Sequence, residues 1–460
     1  MLNKFLKSRI KDAKGLVEQL TEKYEYVSVL GCYTRVKRIV VSTAANNINE
    51  YDKQLGFTIK LYKDGRYSEY STNDIRDLKA NDVIKAVKLS EVVSDDYKVS
   101  MLQEKEHVED FLREDSQPLS DVEIVSRLTK IKEAHQQADS RVVDETLIYM
   151  LRDESSIFVT NKKCLTQNYV WVNAMNQIVV RENGIIKQNY TSTGEATSEK
   201  ALKSLEKGAK DFLDISLKLL KAKPIVPGKY EIITDPSISG LIAHEAFGHG
   251  VEMDMFVKNR AMAKDYVGKP VASEIVDMYD GASAVLSSAS YFFDDDGIEA
   301  QKTQIIKKGI LQKGISDSLS AMQLNTKPTG NGRREEFSHK VYTRMTNTFF
   351  GKGDSKLEDM IASVKHGYYL CQTDNGMEDP KNWQIQCTAV YGLEIKDGKF
   401  TGEIVAPVVI SGYVVDLLKS ISMVSDKVTV IGSGMCGKGH KEWVYVSDGG
   451  PYLKAEAKLG

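Results

Sequence analysis

The chain has 460 residues, 42% hydrophobic and 27% charged, which is enough apolar material for two cores of ordinary domain size and excludes a disordered chain. Its 62 Lys and Arg against 64 Asp and Glu leave a formal charge of -2, so no bulk attraction to nucleic acid or an anionic membrane is indicated. Five scattered cysteines, an odd number, do not read as a disulfide framework and suggest a reducing cytoplasm. Charges recur every few positions in residues 1–20, and no later stretch approaches ~18 uninterrupted apolar residues, so neither a signal peptide nor a membrane span is expected.

Leu6, Ile10, Ala13, Val17 and Leu20 recur at helical spacing and predict a first amphipathic helix. Short strands are expected at residues 26–33, 38–44 and 56–71, with Asp64-Gly65 turning a hairpin because that pair tolerates positive φ. A second, interrupted helical region is expected from Asn73 to about Leu112. A third helix should start at Ser120, whose spacing to Glu123 is that of a capping box, with Leu119 and Ile124 placed for a hydrophobic staple. Strands resume at Asp144 to Leu151, Tyr169 to Asn173 and Gln177 to Arg181, before an Asn183-Gly184 turn. His107 and His135 sit in polar helical surroundings and are expected to be solvated. Cys32, Cys164, Cys371 and Cys387 read as ordinary buried thiols. A long helix should run from about Thr197 to Ala222, stopped by Pro224 and Pro227-Gly228. The order is α+β and not alternating βαβ. It predicts two domains, an N-terminal mixed helix and strand domain over residues 1–223 and a C-terminal β-rich domain over 224–460 that carries a metal-binding helix.

The second domain opens on KYEIITDPSISGLIAHEAFGHGVEM, residues 229–253. A β-prone run ends at Asp235-Pro236, where Asp caps a helix and Pro suits its first turn. Ile238, Leu241, Ile242 and Ala246 give that helix a buried face, and His244, Glu245 and His249 are its chemical cargo. The pattern is HExxxH, one residue longer than the HExxH of zinc proteases. Five residues of regular α-helix rotate a side chain by about 500°, about 140° away from the first, so two imidazoles so spaced cannot easily share an ion. A π-bulge absorbs the extra residue, and Gly248 is a permissive place for it. An irregular turn is therefore expected at residues 244–249. A lone carboxylate on an apolar helix is costly, and a metal ion explains the group: the imidazoles bind zinc, and Glu245 takes a proton from the water it activates.

Catalytic zinc usually has three protein ligands. Glu252 and Asp254 are candidates for the third, and so is Cys436, in the glycine-rich run IGSGMCGKGH at 431–440, expected to fold as a tight loop. Gly432, Gly434 and Gly437 match a bare GxGxxG, but strand-like residues follow where that fingerprint needs a helix, and no GxxxxGK[ST] is present.

The run from His244 to Gly250, Gly330-Asn331-Gly332-Arg333-Arg334-Glu335, the run from Arg344 to Thr348, and Gly434-Met435-Cys436-Gly437-Lys438 together resemble the TldD branch of the TldD/PmbA family. The resemblance is sharpest from about residue 230 to 440. It implies a metallopeptidase whose metal is held by His244, His249 and Cys436, with Glu245 as catalytic base. It also implies a dimer with the site enclosed, the partner being a second copy or an inactive paralogue. The segment from Cys371 to Asp379 departs from the glycine-rich run expected of the family, which bears on substrate preference. Members of the family are linked by name to DNA gyrase, but no basic and aromatic interleaving for direct DNA binding is present.

Elsewhere in this half, Asp294-Asp295-Asp296-Gly297 lacks the ligand spacing of a calcium loop and reads as a turn. Strands are expected at Gln301 to Ile306, Tyr391 to Phe400 and Glu403 to Val409, with turns at Lys308-Gly309 and Asp397-Gly398. Residues 325–332, NTKPTGNG, should be exposed, and Arg333, Arg334, His339 and Arg344 after them either form a rim that contacts a peptide backbone or carboxylate or are plain surface residues. The expected function is zinc-dependent cleavage of peptides or unfolded segments. The rivals are a non-catalytic binding or assembly subunit with a structural metal, and a hydrolase of non-peptide amides. Two imidazoles and a thiolate favour zinc over magnesium or calcium, while iron and cobalt fit the same ligands.

Overall fold

The computed structural model describes residues 1–87, 91–92, 105–439 and 441–460. Helix α1 (Lys4–Thr21) starts under Asn3, whose side chain accepts from the Phe5 and Leu6 N–H groups. It buries Leu6, Ala13, Val17 and Leu20 on Val27, Phe57 and Ile59. Strand β1 (Tyr26–Ser42) runs unbroken through two of the expected strands and lies between β2 (Asn46–Lys63) and β6 (Val142–Val159), antiparallel to both. The β2 to β3 (Arg66–Thr72) hairpin turns on Asp64 and Gly65, at φ 51° and 69°. After α2 (Ala80–Ala86) and β4 (Glu91–Val92) the expected second helical region fails at its far end: β5 (His107–Arg113) is a strand, parallel to β7 (Lys163–Glu182). Pairing with β7 and the stacking of Phe111 on Phe292, centroids 5.0 Å apart, override its helical composition. The rest of that region, residues 88–90 and 93–104, lies outside the described residues. Helix α3 (Asp121–Ala138) is capped by Ser120 Oγ, which accepts from the Glu123 N–H at 3.2 Å. Strand β8 (Ile185–Glu195) pairs with β7, and α4 (Ser198–Leu219) covers the sheet, whose order is β4-β3-β2-β1-β6-β7-β5.

His135 is not solvated. It is 3% exposed on the inner face of α3, with Nδ1 2.8 Å from Glu145 Oε1 and Nε2 3.0 Å from Ala209 O. His107, half-buried on β5, is ion-paired to Glu109 and Glu299. All five cysteines are free and buried.

The second half contains β9 (Gly228–Thr234), α5 (Pro236–Leu241), β10 (Met278–Asp280), β11 (Thr303–Lys307), β12 (Ile310–Leu311) and the short pair β13 (Gly332–Arg333) and β14 (Tyr342–Thr343). There follow β15 (Asn347–Phe350), β16 (His366–Asp379), β17 (Gln384–Lys396), β18 (Lys399–Val405), β19 (Val408–Tyr413), β20 (Met423–Val424), β21 (Thr429–Lys438), β22 (Lys441–Gly450) and β23 (Leu453–Leu459). Strands β16, β9, β23, β19 and β17 close a barrel, because β17 pairs back onto β16. A six-stranded sheet of order β12-β11-β10-β15-β22-β21 stands beside it. Ile238, Phe247, Cys387, Ile410 and Val446 belong to one core that runs through the barrel, the motif helix and this sheet.

Three expectations need correction. Cys436 lies on edge strand β21, not in a loop; the ladder to β22 slips at Ile431/Gly434 and Cys436/Lys438, so the glycines serve bulges in a strand. Residues 325–327 are exposed, but Thr329 and Asn331 are buried, because the Asn331 amide donates to Asp280 Oδ1 and the Arg344 carbonyl. The arginines form no exposed rim: Arg334 is 8% exposed and paired with Glu69 at 3.2 Å, and Arg344 is wholly buried. The Asp294 to Gly297 segment is a turn, as expected, with Gly297 at φ 69°, but it is buried and Asp296 meets Lys60 of β2 at 2.5 Å.

Candidate metal centre

Strand β9 delivers the chain to Asp235, whose carboxylate accepts from the Ile238 N–H at 2.8 Å and so caps α5, with Pro236 in its first turn. The helix keeps α geometry only to Leu241. Ile242 to Gly248 form a π turn, in which the His249 N–H donates to the His244 carbonyl, five residues back. That turn takes up the residue by which HExxxH exceeds HExxH. Gly248 is required less for its backbone angles than for space, since a Cβ there would lie 2.2 Å from the Met345 sulfur.

The π turn brings the two imidazoles edge to face, with centroids 5.3 Å apart. Strand β21 adds the thiol, with Cys436 Sγ 3.3 Å from His249 Nε2. One ligand atom from each of His244, His249 and Cys436 lies within 4.8 Å of the others. Glu245 reaches the same point, 3.8 Å from His244 Nε2 and 3.6 Å from His249 Nε2. His244 is 2% exposed, and neither of its ring nitrogens has a hydrogen-bond partner. Such a group is costly unless something binds it. Two imidazole nitrogens and a thiolate in that position fit zinc.

Burial alone would push both imidazoles down and the thiol up. The opposite charges win: beside Cys436, His244 rises to about 9 and His249 is likewise raised well above its usual range, while Cys436 drops well below its own. A cation entering the centre therefore competes with protons for the same three ligand atoms.

The alternative ligands are engaged otherwise. Glu252 accepts from His249 Nδ1 at 3.2 Å and from Lys438 Nζ at 3.1 Å, and Asp254 accepts from Lys438 at 2.8 Å. Because the Glu252 carboxylate can only accept, His249 carries its proton on Nδ1 and turns Nε2 towards Cys436 and Glu245. Arg344, read from sequence as either part of a rim or a plain surface residue, is instead the strut of the centre. Its Nη2 donates to Cys436 Sγ at 3.0 Å and to the Cys436 carbonyl at 2.9 Å, its Nη1 donates to the Glu442 carbonyl, and Nε faces Glu252 Oε1 at 3.4 Å. Sequence reading also missed Glu378 on β16. Its Oε2 accepts from the Gly250 N–H at 3.0 Å, and burial pushes its carboxyl up to about 8. A cleft of about 530 Å³ opens beside Glu245, His249 and Cys436, with the partly exposed Met377, Met435 and Trp443 in its wall. A second trio, Glu335, His339 and Glu442, also comes within 4.8 Å, but His339 is already ion-paired there, 3.3 Å from Glu442.

Residues 227–457 match the family described as the PmbA/TldA metallopeptidase C-terminal domain. The chain belongs to the PmbA/TldD metallopeptidase family. A metalloprotease from Methanocaldococcus jannaschii is 32% identical over 68% of this chain and 66% of its own length. One from Methanothermobacter thermautotrophicus is 26% identical over 96% of both. A zinc metalloprotease TldD homologue from Saccharolobus solfataricus is 31% identical over 52% of each chain. The match thus spans between half and two thirds of the first and third of these relatives and nearly all of the second. Among solved structures, a protein from Bacteroides thetaiotaomicron described as a candidate modulator of DNA gyrase superposes with a TM-score of 0.76 at 17% identity, over 100% of both chains. TldE from Thermococcus kodakarensis does so with a TM-score of 0.70 at 18% identity, over 97% of this chain and 99% of its own. These two likenesses establish the fold. Among the described residues no helix is long and apolar enough to cross a membrane.

Proposed function

We propose that this member of the family is a zinc-dependent peptidase that cuts peptides or unfolded polypeptide segments, with His244, His249 and Cys436 as ligands and Glu245 as general base. The observation that carries the reading is the buried His244 ring with both nitrogens unpartnered, facing a thiolate and a second imidazole. A zinc ion held there would supply Lewis acidity, making water acidic enough to yield its proton near neutral pH. The chain's own residues do the rest. Glu245, within 4 Å of both imidazoles, takes that proton and returns it to the leaving amine. Glu252 fixes the tautomer of His249, and Arg344 fixes the thiolate.

The cleft is open along an edge strand, with Met377, Met435 and Trp443 among its charged side chains, which suits extended chain better than a folded surface. The division at residues 223 and 224 separates a scaffold domain from the domain that holds the centre. The partner in this reading is a second copy of the chain or an inactive paralogue, in a dimer. A cytoplasmic setting is consistent with the free cysteines.

The test pairs elemental analysis with cleavage of an unstructured peptide. Wild type is expected to hold one zinc per chain and cut, Glu245→Gln to hold zinc without cutting, and Cys436→Ala to lose zinc. A Cys436→Ala protein that keeps metal and activity overturns the ligand set.

A further inference from the structure

A cavity of about 510 Å³ lies where the N-terminal sheet meets α5, β16 and the β21–β22 ladder, and it shares no lining residue with the metal cleft. Met150, Met175 and Ile431 give it apolar walls. Among the polar residues that line it, Asn173, Arg38 and Asp448 stand out. Asn173 is 8% exposed; its Nδ2 donates to the Gly432 carbonyl at 2.6 Å, which fixes the amide and leaves Oδ1 buried without a partner. The side chains of Arg38 and Asp448 make no hydrogen bond or ion pair among the described residues. The buried acceptor is costly unless a ligand answers it, and the half-exposed Arg38 and Asp448 offer that ligand a cation and an anion.

Their order across the sheets defines that ligand. Arg38 on β1 stands opposite Met150 on β6, and Met150 opposite Asn173 on β7. Asn173 bonds Gly432, and the neighbouring Ile431 stands opposite Asp448. The cation and the anion therefore close the row from opposite ends, with the orphaned acceptor between them. Two strand spacings separate Arg38 from Asn173, about 10 Å, and an extended residue spans about 3.3 Å, so a chain of roughly three residues bridges the row.

We propose that this seam cavity binds a short peptide with free termini, its ammonium at Asp448, its carboxylate at Arg38, a central N–H on Asn173 Oδ1, and its apolar side chains on Met150, Met175 and Ile431. The peptidase reading supplies only the class of ligand, a substrate fragment or product; binding itself needs no turnover. Asp448 lies near enough to His244 and Glu245 to feel their charges, so the cavity adjoins the metal centre without being part of it.

Calorimetric titration of the full chain carrying Glu245→Gln with the tripeptide Ala-Leu-Ala tests this directly. The free tripeptide is expected to bind; N-acetylation and C-amidation should each weaken it about tenfold, the worth of one charged hydrogen bond. Asp448→Asn should weaken the free peptide to the same extent and abolish the penalty of acetylation, and Arg38→Met should do likewise for amidation. No binding of the free tripeptide, or binding indifferent to both caps and both substitutions, overturns the proposal. Binding that follows the caps and the substitutions, in a protein whose wild type cuts no unstructured peptide, upholds the cavity while removing the peptidase reading.

Discussion

His135 and His244 are equally hidden from solvent, 3% and 2% exposed, yet their surroundings differ in kind. Both nitrogens of His135 are partnered, one by the Glu145 carboxylate and one by the Ala209 carbonyl, so the ring pins α3 to β6 and to α4. Neither nitrogen of His244 has a partner, although a thiolate, a second imidazole and a carboxylate stand around it. A saturated buried histidine is a structural rivet, and an unsaturated one is a seat for something that arrives later. The ion network at the seam belongs with His135: Lys60 meets Asp296 at 2.5 Å and Glu69 at 3.4 Å, and Arg334 meets Glu69 at 3.2 Å.

The largest expected effect separates chemistry from folding at the unsaturated site. Glu245→Gln should lower turnover of an unstructured peptide by about 10²–10⁴-fold with zinc content and melting temperature unchanged. A parallel fall in melting temperature would show that Glu245 serves the fold as His135 does. At the saturated site the pattern should invert. His135→Ala leaves the buried Glu145 carboxylate with the Asn176 amide as its remaining side-chain donor among the described residues and should cost about 1–3 kcal/mol in denaturant unfolding, while zinc loading stays intact.

Between these extremes lies Arg344, which is buried like a rivet but bonded to Cys436. Arg344→Lys keeps the charge and loses the fork, so zinc affinity measured by chelator competition should drop about 10–100-fold. An unchanged affinity would place Arg344 with the rivets.

The smallest effect concerns pH at the seam. Burial pushes the Glu69 carboxyl up, but Arg334 and Lys60 more than offset it and hold it below its ordinary value of 4.5. The folded protein thus binds this proton less readily than the unfolded chain, so the contribution is fully present above pH 4.5 and is lost as pH falls through the lowered folded value. The stability gap between wild type and Glu69→Gln should therefore be constant from neutral pH down to about 5 and close below that range. A gap that widens on acidification contradicts the sign.

Much of this was readable before any coordinates. The π turn follows from the five-residue step from one imidazole to the next, and Asp235 and Ser120 announce their helices by cap chemistry alone. Local angles likewise placed the turns at Asp64-Gly65, Asn183-Gly184 and Asp397-Gly398. What stayed hidden depends on distant contacts. Nothing near His135 in sequence reveals that Glu145 and Ala209 will close over it. Arg344 looks like any surface arginine until β21 passes beside it, and residues 107–113 have helical composition until β7 offers a ladder. Glu378 gave no signal, because its burial comes from packing against Gly250, in the motif turn far upstream.

X-ray absorption at the zinc edge of the loaded protein tests the central claim most directly. The structure predicts one sulfur near 2.3 Å and two imidazole nitrogens near 2.0 Å, with the sulfur shell gone in Cys436→Ser. A first shell of nitrogen and oxygen alone in the wild type would contradict it, and would move the third ligand from β21 to Glu252 or Asp254.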